Sequence, residues 1–162
     1  MAKRELLVDP ILYDVNRSIF GIDEIRCYNS HRFEMEQLTG ILYESFEMKS
    51  IVGYLDVTDS SFWVRGHMPD FPLMPGVIMC EAAAQLTSYF ANKYQLMSGS
   101  LLGLGGIDNA RFRNPVKLGD RLVIQAKMIH YKKILIIAEF VGLVEDKIAC
   151  EGIIKGVPVK KS

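Results

Sequence analysis

The chain has 162 residues, 49% of them hydrophobic, which suits one compact domain over 1–162 with a real core and is too little for two. Nineteen Lys and Arg balance nineteen Asp and Glu, so bulk charge offers a phosphate backbone nothing, and nucleic acid is excluded as an expected partner. The opening MAKRELLVDPILYD breaks its apolar runs with charges, and no stretch reaches the roughly 18 apolar residues that span a bilayer, which predicts a cytoplasmic protein with no membrane partner.

Asp9 before Pro10 is a helix-start signal, an N-cap followed by proline at the first helical position, and predicts a short helix over 9–18. A second short helix is expected over 21–28, around Ile22 and Ile25, making residues 1–30 a peripheral helical extension. The runs LTGILYESF (38–46) and KSIVGYLDV (49–57) are rich in β-branched and aromatic residues and predict a hairpin, and FWV (62–64) reads as a short extended segment.

The stretch 76–95, GVIMCEAAAQLTSYFANKYQ, has no internal proline and many helix formers, and predicts about five helical turns. Its apolar residues point nearly all round the axis, which marks a helix enclosed by protein. Strands are expected near 101–112, 121–131, 134–144 and 147–157, with VEDKI as the turn before the last. In the second of these, Leu122, Ile124, Ala126 and Met128 alternate with Val123, Gln125 and Lys127, the pattern of a half-buried strand. Hairpin connections imply antiparallel pairing, so the expected architecture is α+β: one buried helix within a curved antiparallel sheet.

Cys27, Cys80 and Cys150 have no CxxC spacing, so they read as buried free thiols. His31, His67 and His130 lie far apart and form no helical ligand pair, so no metal is expected. LLGLGG (101–106) does not extend to GxGxxG, because position 108 is Asp; its glycines mark a close backbone approach.

Chemistry concentrates in GHMPDFPLMPGVIMCE (66–81). Pro69, Pro72 and Pro75 stiffen the loop that presents His67. Gly76 stands in the first turn of the long helix, where backbone N–H groups lack intrahelical partners and can polarise a carbonyl oxygen. Glu81 follows five residues later, about 7.5 Å along the axis, on a helix otherwise clothed in apolar side chains. A carboxyl in such surroundings must be paired, protonated or used, and its acid form is favoured. Together the parts suit proton abstraction beside a carbonyl by His67, with Glu81 protonating a departing hydroxyl, which sums to β-elimination of water. The plainer account is that the prolines end a strand and start a helix, Gly76 is an ordinary first-turn residue, and Glu81 looks to solvent.

GHMPDFPLMPGVIMCEAAAQ closely resembles the signature of the bacterial (3R)-hydroxyacyl-[acyl carrier protein] dehydratases of type II fatty acid synthesis, a hot-dog fold family. GIDNARFRNPVKLGD (106–120) is similar to that family's second block, and the likeness runs from about Ser30 to Gly156 through DKIACEG. The resemblance implies a hot-dog homodimer, often assembled into hexamers, that uses no metal or organic cofactor and takes a 3-hydroxyacyl substrate on acyl carrier protein. It implies His67 as base and Glu81 as acid, acting across the dimer interface, Gly76 N–H as the carbonyl's donor, and Gln85 as the glutamine one turn beyond the acid. Glu81, rather than Asp, resembles the plain dehydratase branch over the bifunctional dehydratase/isomerase.

The sequence departs from the family at Arg65, Met68, Asp70 and Phe71 around the histidine, at Glu34 and Met35, and at Asn109 and Asn114. These positions bear on acyl-chain length and carrier choice more than on the reaction. Met68, Phe71, Met79 and Phe112 are candidates for the wall of an apolar acyl tunnel, with plain core packing as the alternative for Met79 and Phe112. Arg111, Arg113, Lys117, Lys132 and Lys133 are candidates for docking an acidic carrier protein, or else simply solvated strand ends. Alternatives to dehydration are a hot-dog acyl thioesterase and a non-catalytic protein that binds acyl carriers.

Overall fold

Six strands form one sheet in the computed structural model, which describes residues 5–99 and 101–160. Residues 1–4, 100 and 161–162, included in the single-domain expectation, lie outside the described residues. The strands are β1 (Gly40–Ser45), β2 (Ser50–Asp56), β3 (Leu101–Phe112), β4 (Arg121–Lys132), β5 (Leu135–Val144) and β6 (Lys147–Val159). They pair antiparallel throughout in the order β1-β2-β4-β5-β6-β3. Shifts of register in β1–β2, β3–β6, β4–β5 and β5–β6 bend the sheet, as bulges do. The sheet curves round the long helix α2 (Gly76–Lys93), and the short helix α1 (Ile22–Tyr28) packs on α2. This is the α+β hot-dog arrangement expected from the sequence.

Every residue of α2 from Ala82 to Ala91 is buried, with Leu86, Tyr89 and Phe90 fully enclosed. Each large apolar side chain so covered stabilises by about 1.5–3 kcal/mol, and no amphipathic face is needed. The helix reaches the sheet closely because β2 carries Gly53, where a Cβ would stand 2.7 Å from Leu86 Cδ1. At its far end, Lys93 Nζ lies 2.7 Å from Glu44 and 3.2 Å from Glu24, and 3.9 Å from the Phe20 ring centroid. One lysine thereby ties β1, α1 and the segment before it to the helix. No helix among the described residues is long and apolar enough to cross a membrane.

The structure corrects four sequence expectations. The helix over 9–18 is only a 3-10 turn, Pro10–Leu12. Asp9 does cap it, through Ile11 N at 3.0 Å, but Ile11 and Leu12 are exposed, so no buried face supports further turns. Tyr13 instead runs extended, and its hydroxyl accepts from Gln125 Nε2 at 2.9 Å. The alternation in β4 is lost for a related reason: Val123 and Gln125 are buried as well, because residues 7–13 cover the outer face. Gln125 Oε1 accepts from Leu7 N and Val8 N, and its Nε2 donates to Val8 O. FWV is turn rather than strand, with Val64 N bonded to Ser61 O and Gly66 N to Trp63 O. Of the cysteines, Cys27 on α1 is exposed; burial pushes the Cys80 and Cys150 thiols up, Cys150 to about 12.

Gln125→Leu keeps volume but leaves the half-buried N–H of Leu7 and the buried N–H of Val8 without an acceptor. A loss of about 3 kcal/mol is expected in urea melts, with faster proteolytic cutting before residue 20. A second prediction concerns pH. Arg26 grips both Glu36 oxygens at 2.6 and 2.8 Å, and this hydrogen-bonded pairing holds the Glu36 carboxyl below its ordinary range. A depressed folded-state pKa gives stability that is present above the unfolded value and lost as pH falls through the folded one. The stability gap between wild type and Glu36→Gln is therefore expected at pH 6 and should close below about pH 4.

Candidate active site

His67 sits in the loop 61–75, which Trp63 and Met74 anchor in the core. His67 N donates to Trp63 O at 2.8 Å, Leu73 N to His67 O at 2.8 Å, and Met74 N to Val116 O at 2.8 Å. Between them Met68 and Phe71 exchange backbone hydrogen bonds, both at 3.0 Å, across a tight turn in which Asp70 has φ +64°. His67 Nδ1 lies 2.7 Å from Leu73 O. A carbonyl can only accept, so Nδ1 carries the hydrogen and Nε2 is left with its lone pair.

His67, Gly76, Met79, Phe112 and Arg113 line a cavity of about 530 Å³. Pro75 caps α2 without a side-chain hydrogen bond. Ile78 N and Met79 N already donate to Pro75 O, while Gly76 and Val77 of the same turn line the cavity. Glycine is required at 76 for a packing reason the sequence did not suggest: a Cβ there would stand 2.8 Å from the Phe112 ring. Arg113 pairs with Glu151 at 2.8 Å, and that carboxylate raises the Arg113 pKa.

Glu81 is not among the residues lining this cavity, so one chain does not gather His67 and Glu81 at one site. Nor is its setting wholly apolar. Its side chain keeps 23% exposure, and Gln85 Nε2 donates to Oε1 at 2.8 Å. His31 Nε2 lies 3.6 Å from the same oxygen. The polar surroundings come from the segment after α1, which packs against this face of α2: Gln85 Oε1 accepts from Gln37 N at 2.9 Å and its Nε2 also donates to Met35 O at 2.7 Å. Gln85 is buried with both amide hydrogens used, one of them on Glu81. Sequence reasoning passed over His31, fifty positions from Glu81 (81 − 31); its one signal was a place at the start of the family-like region.

The remaining candidates divide. Met79 is buried and Phe112 half exposed, and both line the cavity. Met68 and Phe71 are exposed and do not line it; Lys117 Nζ lies 5.7 Å from the Phe71 ring centroid. The five basic residues do not form one patch within the chain. Register carries Phe112 through Cys150 and Gly142 to the level of Ile124, eight positions from Lys132, or about 26 Å along the sheet. Arg111, Arg113 and Lys117 are thus at the cavity's end, and Lys132 and Lys133 at the opposite one.

Comparison with known proteins bears on family and fold. The FabA-like domain family matches residues 29–153. The 3-hydroxyacyl-[acyl-carrier-protein] dehydratase FabZ of Francisella tularensis subsp. novicida is 34% identical over 152 residues, covering 85% of this chain and 91% of that protein. Among solved structures, the dehydratase heterocomplex ApeI:P of Xenorhabdus doucetiae superposes with a TM-score of 0.73 at 16% identity, covering 85% of this chain and 91% of its own. PaaI of the E. coli phenylacetic acid degradation operon follows with a TM-score of 0.55 at 18% identity, covering 72% and 80%. These two likenesses concern the fold alone, whereas the sequence matches extend to descent: the chain belongs to the FabA-like domain family.

Proposed function

We propose that the protein dehydrates (3R)-hydroxyacyl thioesters on acyl carrier protein to trans-2-enoyl thioesters, in fatty acid or related lipid biosynthesis in the cytoplasm. The observation that carries the reading is the His67 tautomer: with Nδ1–H spent on Leu73 O, Nε2 is a base in a cavity that also holds the open first turn of α2. Nε2 takes the C2 proton, and the C2–H electron pair moves toward the thioester carbonyl, whose oxygen accepts from Gly76 N–H. As those electrons form the C2–C3 double bond, the C3–O bond breaks, and Glu81 gives its proton to the departing hydroxyl, which leaves as water. Met79 and Phe112 form part of the acyl wall.

The acid comes from a second copy of the chain. β3 is a twelve-residue edge strand, whereas the outer edge of β1 is bridged by Phe20. Leu104, Ile107 and Phe112 on β3 and Val77 on α2 are exposed apolar side chains, and long bare edges of this kind pair with another strand. A homodimer joined at β3 covers them and supplies Glu81 to the partner's cavity. Arg111, Arg113 and Lys117 then receive an acidic carrier protein at the mouth of that cavity, with Lys132 and Lys133 outside the docking surface.

His67→Ala and Glu81→Gln are each expected to lower turnover of hydroxyacyl-pantetheine thioesters by about 10³-fold, followed as enoyl absorbance, while melting temperature and dimer mass stay near wild type. Retained turnover in both variants rejects the assignment. Release of free thiol in place of enoyl product would mark a thioesterase.

A further inference from the structure

His31 has no part in the chemistry above, yet it faces the carboxyl group assigned as the acid. Its Nε2 lies 3.6 Å from Glu81 Oε1, the oxygen to which Gln85 Nε2 donates at 2.8 Å. Among the described residues no hydrogen bond reaches Oε2. The other ring nitrogen of His31, Nδ1, is buried and has no hydrogen-bond partner among the described residues. A proton on Nδ1 would be an enclosed, unpaired donor, which is costly. The ring's hydrogen is therefore placed on Nε2, directed at Glu81.

Arg32 spends its guanidinium on the carbonyls of Asn29, His31 and Arg26, and Glu36 is held by Arg26 at 2.6 Å, so neither competes for the His31 ring. Gln85, the other group on Glu81, is uncharged. At 3.6 Å the His31 contact is longer than a formed hydrogen bond, and contacts of this kind shorten when the site is assembled around substrate.

We infer that His31 is a positioning residue: with Gln85 it fixes Oε1 as the accepting oxygen of Glu81, so that the transferable proton is carried on Oε2. In the elimination, the proton leaves Oε2 for the hydroxyl on C3, and the negative charge left on the carboxylate spreads to Oε1, where two N–H groups meet it. His31 thus eases release of the proton. This inference rests on the dehydratase reading and adds to it which oxygen acts and what selects it.

The test compares His31→Gln with His31→Asn in the full-length protein. The Gln amide nitrogen reaches the place of Nε2, and the Asn amide nitrogen reaches only that of Nδ1. Dehydration of a hydroxyacyl-pantetheine thioester is measured across pH, together with melting temperature. His31→Asn is expected to lower kcat about tenfold with KM nearly unchanged. It should also move the alkaline limb of the kcat profile, which reports the substrate complex, to higher pH, because a carboxyl without its donor holds its proton more tightly. His31→Gln should restore both. Equal behaviour of the two variants, or a wild-type limb in His31→Asn, overturns the inference. Wild type and Glu81→Gln run alongside separate the two failures: if wild type dehydrates and Glu81→Gln does not, only the role of His31 is lost; if Glu81→Gln is active, Glu81 is not the acid; and if wild type forms no enoyl product, the dehydratase reading itself falls.

Discussion

The hydrogen bond from His67 Nδ1 to the Leu73 carbonyl, 2.7 Å long, decides which side of the imidazole can do chemistry. Everything about loop 61–75 serves to keep that bond in place. Trp63 and Met74 are driven into the core by their apolar area, and the backbone bonds from His67 to Trp63 and from Leu73 to His67 set the two partners facing each other. The acceptor is a main-chain atom, so its position is fixed by the fold and not by a rotamer. A base oriented in this way needs no carboxylate behind it to fix its tautomer.

The long helix connects that base to the rest of the site. Its first turn opens into the cavity at Gly76, with the Phe112 ring lying against the glycine where a side chain would otherwise be. Little more than a turn later the same helix presents Glu81 to a different neighbourhood, built from the segment between α1 and β1. That neighbourhood is polar because Gln85, though buried, must satisfy its amide, and it does so with Gln37, Met35 and Glu81. The requirement that buried polar groups be paired therefore organises the carboxyl's surroundings, and separates it from His67 within the chain. In the proposed function, separation inside one chain and joint action in one reaction are reconciled by a two-fold partner along the bare edge of β3.

Much of this was legible in the residues. The hairpin β1–β2 and the later strands follow from β-branched runs and turn residues, and α2 from its alanines and its apolar surface on all sides, because burial and propensity agree there. The proposal that His67 and Glu81 act together starts from the same stretch, where a stiff loop, an open helix start and a carboxyl stand within fifteen residues of sequence. What failed depended on distant contacts. Asp9-Pro10 is a sound local helix signal, but Gln125, more than a hundred positions away, draws residues 7–13 flat across the sheet. The same contact hid the burial of Val123. Met68 and Phe71 were reached by proximity to His67 in sequence, while the tight turn directs them outward, and the split of the basic residues follows from strand register alone. His31 belongs to the same class, brought to Glu81 by the packing of α1 on α2.

The central claim is that each site takes its base from one chain and its acid from another. The most direct measurement pairs a His67→Ala chain with a Glu81→Gln chain in purified mixed dimers carrying two different affinity tags, and follows dehydration. Such a dimer contains one site with both groups intact and one with neither, so about half the wild-type rate is predicted, although each parent homodimer is inactive. Mixed dimers as inactive as their parents would contradict the account, because the base and the acid would then have to belong to the same chain.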